Sequence, residues 1–329
     1  MGGNLFKDLN TVRVDQVQYH QIYNDLEKSL LNPINKIHDL IPSYRSKPSF
    51  GDMDIIISSY DSEDYDRIRH QFPIHHKNGK ILSFAYPLEN HEYFQIDLIQ
   101  EPLYHYDFSL NYYSYNDLGN FIGRLARYLG FKFGHDGLHY LHREDNGNLI
   151  ESIEITTNFY DAITFLGFDV TSYNDSFNTL DDIFEFVIFN PYFDPEAFDL
   201  EKMGHRSRVR DKKRENYRLF IEKIKDMPYG IKNKDELRQI MFEEALKHYP
   251  SFASKLKESQ ERYTRNKIIR EKFNGELIMK TTGLEGKELG AFMRAYKEGK
   301  GDEFERLILN KDIDFIITDL THFHQEHTK

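Results

Sequence analysis

A short acidic pair running into an apolar triplet, Gly51-Asp52-Met53-Asp54-Ile55-Ile56-Ile57, most restricts what this chain can become. Side chains alternate across a strand, so Asp52 and Asp54 share one face while Met53 and Ile55 share the other. The isoleucines commit the segment to a core, and the carboxylates at its start must then meet water or a cation. An isolated Asp-x-Asp is more often a solvated strand start than a site. Two carboxylates two residues apart can also grip a hard cation. Magnesium is usually held by one or two carboxylates, with substrate phosphates completing its shell. That chemistry points to phosphoryl or nucleotidyl transfer.

The chain of 329 residues is long enough for two or three packed units, and 39% hydrophobic with 15% aromatic residues is ample for a core. The absence of cysteine excludes disulfides, thiolate zinc sites and a cysteine nucleophile. No apolar run approaches the ~20 residues of a membrane span. The first residues lack the charged-then-apolar pattern of a signal peptide. A soluble, intracellular protein in the cytoplasm, with no membrane partner, is expected. Charge is distributed unevenly. Residues 1–200 hold 14 Lys and Arg against 31 Asp and Glu, a net of −17, and residues 201–329 hold 29 against 23, a net of +6. An acidic half suits a metal and a basic half suits a polyanion.

Residues 14–31 place apolar side chains near helical spacing, with Asp15 as N-cap and Asn32-Pro33 as a stop. Residues 34–41 fit a strand or a short helix, and 42–50 form a polar, turn-rich segment with two prolines. Strands are predicted at 53–58, 80–86 and 93–99, and a short helix at 62–71. Leu118, Phe121, Ile122, Leu125 and Leu129 make a helical stripe that Gly130 closes. Short strands at 138–141 and 149–155 and short helices at 161–166 and 180–187 follow. Beyond the connector 190–195 the pattern is charged helix, with one further strand at 314–317. Gly2-Gly3 reads as a terminal turn.

Asp97, in Gln95-Ile96-Asp97-Leu98, lies mid-strand between apolar neighbours, where a carboxylate is costly unless paired or metal-bound. On a strand beside Asp52 and Asp54 it closes a triad for two metals about 3.5–4 Å apart. The surrounding segments carry a family resemblance. Ser43-Tyr44-Arg45-Ser46 followed by Phe50-Gly51-Asp52-Met53-Asp54-Ile55 resembles the signature of the DNA polymerase beta superfamily of nucleotidyltransferases. There a Gly-Ser turn precedes an Asp-x-Asp strand by about ten residues. The likeness is greatest to polymerase family X. Gln95-Ile96-Asp97-Leu98 is similar to its third-aspartate strand, and Tyr112-Tyr113-Ser114-Tyr115-Asn116-Asp117 to its Tyr-Phe-Thr-Gly-Ser nucleotide-selecting turn. The segment from Asn120 through Phe133 is similar to the helix and strand that follow. Leu180 to Phe186, with Tyr192 and Pro195, resembles the end of its thumb. The likeness covers roughly residues 15–200.

The resemblance implies an α+β fold: a nucleotidyltransferase palm of mixed sheet and helices (1–107), a thumb-like segment (108–200) and a basic helical C-terminal domain (201–329). It implies that Asp52 and Asp54 hold both Mg²⁺ ions, with Mn²⁺ as a substitute. Asp97 would bind the catalytic ion and help deprotonate a 3′-hydroxyl. Ser43 would touch the triphosphate with Arg45 and Lys47 as counter-charge, beside Gly51. Tyr112 and Tyr113 would pack on the sugar, and Asn120 and Arg124 would face the base. Three residues depart from the pattern. Pro42 replaces the signature glycine and lacks an N–H for a phosphate. Ser46 stands where a second arginine is common. Tyr115 replaces the glycine of the sugar turn.

Residues 202–214 hold seven Lys and Arg in thirteen positions, and a density like this neutralises phosphates. Arg206, Arg208, Arg210, Lys212, Lys213 and Arg214 are therefore the expected nucleic-acid contacts; a solvated helix paired to Asp211 and Glu215 is the alternative. Gly283 to Gly290 weakly resembles a Gly-rich turn and helix of poly(A) polymerase and tRNA nucleotidyltransferase relatives, and a helix-turn-helix corner explains it as well. Neither His135, His139, His142 nor His322, His324, His327 is assigned a zinc ion. The expected activity is Mg²⁺-dependent addition of nucleotides from an NTP or dNTP to a DNA or RNA 3′ end, as a family X-like polymerase or a terminal or tRNA nucleotidyltransferase. A catalytically reduced nucleic-acid-binding protein and a nucleotidyltransferase acting on protein hydroxyls are the rival readings.

Overall fold

The computed structural model describes residues 5–230 and 233–327; Gly2-Gly3 lies outside them. Five strands form the principal sheet: β1 (His38–Leu40), β2 (Asp52–Ile57), β3 (His75–Asn78), β4 (Ile81–Pro87) and β5 (Tyr93–Gln100), in the order β1-β2-β5-β4-β3. β2 and β5 run parallel and the other pairs are antiparallel, so the sheet is mixed. A second sheet joins β6 (Phe131–Gly134), β7 (Gly137–Arg143) and β8 (Leu149–Thr156) in that order. The α+β class is as expected.

Parallel strands need a crossover. Between β2 and β5 the chain supplies α3 (Ser62–Gln71) and the β3–β4 hairpin. The helix α1 (Gln16–Leu26) begins at Asp15, whose carboxylate accepts from Gln18 N–H, a standard N-cap. Pro33 does not stop it. A π-helical turn over Glu27–Leu31 leads without a break into α2 (Asn32–Ile34), which holds the proline. The helix ends instead at Asn35, in the left-handed region at φ 55°.

The alternation of β2 and β5 divides the sheet's two faces. Met53, Ile55, Ile57, Ile96 and Leu98 are buried with Tyr19, Ile22 and Leu26 of α1 and Ile68 of α3. On the other face Ile56 and Ile99 are buried with Tyr106 of α4 (Leu103–Tyr113), and Leu110 and Tyr113 pack against them. At ~1.5 Å per residue this eleven-residue helix covers about 16 Å. It screens the isoleucine end of the face and leaves the aspartate end beyond its C-terminus.

α5 (Leu118–Tyr128) follows as predicted and buries its stripe. Gly119 is required there, because a Cβ at that position would lie 2.1 Å from the Tyr112 carbonyl oxygen. Next come α6 (Phe159–Phe165), α7 (Val170–Asn174), α8 (Leu180–Ile188), α9 (His205–Lys212), α10 (Glu215–Ile224), α11 (Lys234–His248), α12 (Pro250–Lys272), α13 (Gly275–Thr282), α14 (Gly286–Lys300), α15 (Glu303–Asn310) and α16 (Ile313–His327).

The chain divides into two compact units, Met1–His142 with Ser152–Phe252, and Arg143–Glu151 with Ala253–Lys329. The divisions expected after 107 and 200 both fall within the first. In the second, Phe273, Ile278, Phe292, Tyr296, Phe304, Ile308, Ile316 and Leu320 make a separate core. The strand expected at 314–317 is the first turn of α16. Asp312 Oδ1 accepts from Phe315 N–H, and Ile316 and Leu320 are buried four residues apart on one helical face. Gly283 caps α13 at φ 74°, so the Gly-rich segment is a corner between helices. Among the described residues no helix is long and apolar enough to cross a membrane.

Candidate functional site

Register builds the carboxylate face. In the parallel β2–β5 pair Asp54 stands opposite Asp97, and Asp52 opposite Gln95. Opposed residues point the same way, so Asp52, Asp54 and Asp97 lie on one face, continuous with Ile56 and Ile99. On β4, Ser83 stands opposite Asp97. Gln95, only 6% exposed, donates from Nε2 to both Asp97 oxygens at 3.0 Å, and its Oε1 accepts from Leu5 N–H at 3.1 Å.

None of the three aspartates forms an ion pair among the described residues. Burial, and then the charges of Asp52 and Asp97, push the Asp54 carboxyl up to about 8; nearby Lys47 opposes them. Burial raises Asp97 as well, opposed by hydrogen bonds from Ser83 and Gln95. Lys47 is pushed down by its burial and drawn up by Asp52 and Asp54, while its Nζ lies 4.5 Å from the centre of the Phe50 ring. Among the described residues no group of three or more His, Cys, Asp or Glu side chains is gathered to hold a metal ion. The carboxylates are aligned along the face, with Asp97 drawn to Gln95. Their chemistry still suits a hard divalent cation: oxygen donors only, like charges side by side, and one nearby lysine.

The loop before β2 is fastened on both sides. Arg13 donates to Ser49 Oγ at 3.0 Å and to its carbonyl at 2.8 Å, and Phe50 and Val14 exchange backbone hydrogen bonds. Arg45 N–H donates to the Phe177 carbonyl and Ser46 N–H to that of Asn178. The Arg45 guanidinium donates to Asn178 Oδ1 at 2.8 Å and to the Asp175 carbonyl at 2.9 Å. Arg45 is thus tied to the segment between α7 and α8 and does not face the aspartates. Among the described residues the Ser43 and Tyr44 amides have no hydrogen-bond partner within the protein.

Pro42 and Tyr115 meet. Tyr115 N–H donates to the Pro42 carbonyl at 2.7 Å. Tyr115 and Asn116 lie at φ 58° and 64°, so the turn keeps the left-handed backbone that a glycine would adopt without strain. Tyr115 is held there by burial against Tyr173 and Phe177 and by its hydroxyl donating to Ser176 Oγ at 2.9 Å.

Tyr112 and Tyr113 sit 5.3 Å apart between two charged neighbourhoods. Tyr113 is raised by burial and then by Glu101, with Asp54 also contributing. Tyr112 is raised by burial and drawn down by Arg210, Arg214 and Arg124. Asn120 and Arg124 are engaged by α9. Arg124 pairs with Asp211, both buried, and Arg210 donates to Asp211 Oδ1 at 2.8 Å and to Asn120 Oδ1 at 2.7 Å. Of the other basic residues, Arg214 pairs with Asp117, and Arg208 and Lys212 each lie 3.5 Å from Glu201. Arg206 and Lys213 are exposed without an ion pair among the described residues.

Sequence reasoning missed a second cluster. Glu101, 2% exposed, pairs with Lys80, whose Nζ lies 3.2 Å from His135 Nδ1, and the His135 ring stacks on Tyr113 at 6.0 Å. Burial and then Lys80 push the imidazole's pKa down, opposed by Glu101. Glu101 lies four residues after Asp97, just past the end of β5 and in step with its alternation, the one signal that could have found it. Compared with known proteins, the chain matches no family model, and no curated protein matches it.

Proposed function

We propose that the chain is a magnesium-dependent nucleotidyltransferase that joins a nucleoside monophosphate, from an NTP or dNTP, to a nucleic-acid 3′-hydroxyl and releases pyrophosphate. The observation that carries this reading is the parallel register of Asp54 with Asp97, with Asp52 on the same face and no ion pair to neutralise them. Bound Mg²⁺ or Mn²⁺ would supply Lewis-acid stabilisation of the attacking and leaving oxygens. Asp52 and Asp54 would hold two such ions, and Asp97 would join them at the catalytic one. Asp97, raised by burial, is suited to take the hydroxyl proton as the 3′ oxygen bonds to the α-phosphorus and the bond to pyrophosphate breaks. Lys47 and the Ser43 and Tyr44 amides would receive the triphosphate. Tyr113, beside Asp54, would pack on the sugar.

In this reading residues 1–107 act as palm, 108–200 as thumb and 201–329 as a basic nucleic-acid-binding part, in a cytoplasmic enzyme. A second reading, a catalytically reduced nucleic-acid-binding protein, is favoured by the loop amides of Arg45 and Ser46 being bonded within the protein.

One extension assay separates them. Labelled primer-template, single-stranded RNA and tRNA are incubated with Mg²⁺ and each NTP or dNTP. Extension is expected, and Asp54→Asn should lower its rate by about 10³-fold or more, the scale of a lost electrostatic stabiliser. Template dependence would mark a polymerase, and its absence a terminal transferase. No extension of any substrate would favour the binder, or transfer to a protein hydroxyl. Full activity in Asp54→Asn would remove the aspartates from the mechanism.

A further inference from the structure

A cavity of about 320 Å³ lies on the opposite side of the tyrosine pair, between α5, the β6–β7 turn and α9. Asn120, Arg124, Lys132, Asp136, Ser207 and Arg210 line it. Two of these side chains carry a buried donor with no acceptor: Asn120 Nδ2 and Arg124 Nε. Their orientation is fixed from behind. Arg210 donates to Asn120 Oδ1, leaving the amide nitrogen as the free end, and Asp211 engages the Arg124 guanidinium at Nη2. Arg124 is 6% exposed, so bulk water does not serve its Nε. An unsatisfied buried donor costs about 1–3 kcal/mol, more when charged, and native proteins normally fill such a place with a partner.

Charge selects the kind of partner. Arg124, Arg127, Lys132 and Arg210 are cationic, against Asp136 on the lining, bonded to Lys132 at 2.9 Å, and Asp211 behind it, shared by Arg124 and Arg210, which leaves two positive charges in excess. Neutral water meets two donors but leaves this excess positive. The volume is at the small end of ligand sites, about 300–1,000 Å³, so the occupant is compact. Arginine forks match phosphate oxygens in particular.

We propose that this cavity is a phosphate-binding site, with Asn120 Nδ2 and Arg124 Nε as fixed donors and Arg210 and Lys132 as counter-charges. The inference does not rest on the carboxylate site, since none of the three aspartates lines this cavity. The phosphate is either a free or mononucleotide anion or one group of a nucleic-acid strand.

The test is calorimetric titration of the full chain in EDTA, where no divalent cation can bridge a phosphate to the aspartates. Inorganic phosphate, pyrophosphate and a 5′-phosphorylated oligonucleotide are compared with acetate and the dephosphorylated oligonucleotide. Saturable binding at one site is expected for at least one phosphate-bearing ligand and for neither control. Loss of one charge-assisted hydrogen bond should weaken it by about tenfold or more in Asn120→Asp and in Arg210→Gln, with melting temperatures confirming both folds. Binding of the free anions would identify a small-molecule source, and binding of the oligonucleotide alone a strand; either upholds the site. Absence of saturable binding, or binding that survives both variants, would overturn it. So would equal loss in Asp54→Asn, which would move the phosphate to the carboxylate face. Failure here with Asp54-dependent extension intact would leave the proposed activity standing.

Discussion

On the sheet, Asp52, Asp54 and Asp97 stand beside one another without an ion pair among the described residues; between α5 and α9, Arg124 and Arg210 are both bonded to Asp211. The first region gathers carboxyls that repel one another, and burial with that repulsion holds the Asp54 proton up to about 8. The second carries opposite charges brought together from positions 87 residues apart. An unneutralised cluster at a strand end raises the energy of the folded chain unless something else binds there. A neutralised pair between helices holds the fold together. The difference separates carboxyls left without a counter-ion from a strut that fastens α9 to α5, and it divides the basic segment: Arg210 and Arg214 are bonded within the fold, while Arg206 and Lys213 are exposed without an ion pair among the described residues.

The comparison breaks most severely if the strut proves dispensable. Asp211→Ala leaves Arg124 buried without its counter-ion, and such a loss typically costs about 3–5 kcal/mol. Chemical denaturation should record that loss, and a change under 1 kcal/mol would mean the pair does not hold α9 on α5.

Gly119→Ala acts where the two regions adjoin. The new Cβ must displace the Tyr112 carbonyl, and overpacking of this kind costs about 1–3 kcal/mol. A neutral result in thermal melts would show that α4 can move away from α5 freely.

Asp54→Asn should act in the opposite sense on stability. The folded carboxyl is raised to about 8, above the ~3.9 of an unfolded chain. Between those values the folded state binds more protons than the unfolded state, so wild-type stability falls as pH rises through that window. The variant should therefore match wild type near pH 4 and melt higher at pH 8 and above, by roughly 2–4 °C for each kcal/mol of repulsion removed. A variant that melts lower at pH 8 would mean that the aspartates are satisfied within the fold.

The smallest effect on the fold belongs to Arg206→Gln with Lys213→Gln. Stability should stay within about 0.5 kcal/mol, while the salt slope of nucleic-acid binding falls by about one per charge removed. An unchanged slope would exclude this surface from binding.

Much of the carboxylate face was readable because it depends on local alternation. Asp52, Asp54 and the isoleucines declare their faces by spacing alone, and Asp97 stood out as a charge within an apolar strand. The parallel register that joins Asp54 to Asp97 was not readable, since nothing local specifies a partner strand 43 residues away. The fate of the basic segment was hidden for the same reason. Asp117 and Asp211 looked like ordinary surface acids until the fold brought Arg214 and Arg124 to them. Asp314 to Ile317 misled because a short apolar run has no period of its own, and only the continuation to Leu320 and Phe323 reveals the helix. Tyr115 concealed a left-handed turn because the usual glycine is missing, and burial supplies what the residue type does not.

In the proposed function, Asp52, Asp54 and Asp97 would hold a divalent cation. Titration of Mn²⁺ into wild type and Asp54→Asn, read by the electron-paramagnetic signal of the free ion, tests it most directly. Saturable binding to wild type is expected, with an affinity at least about tenfold lower in Asp54→Asn, since losing a group that merely supports a metal ligand already costs about 10–100-fold. Equal affinities in the two proteins would contradict it.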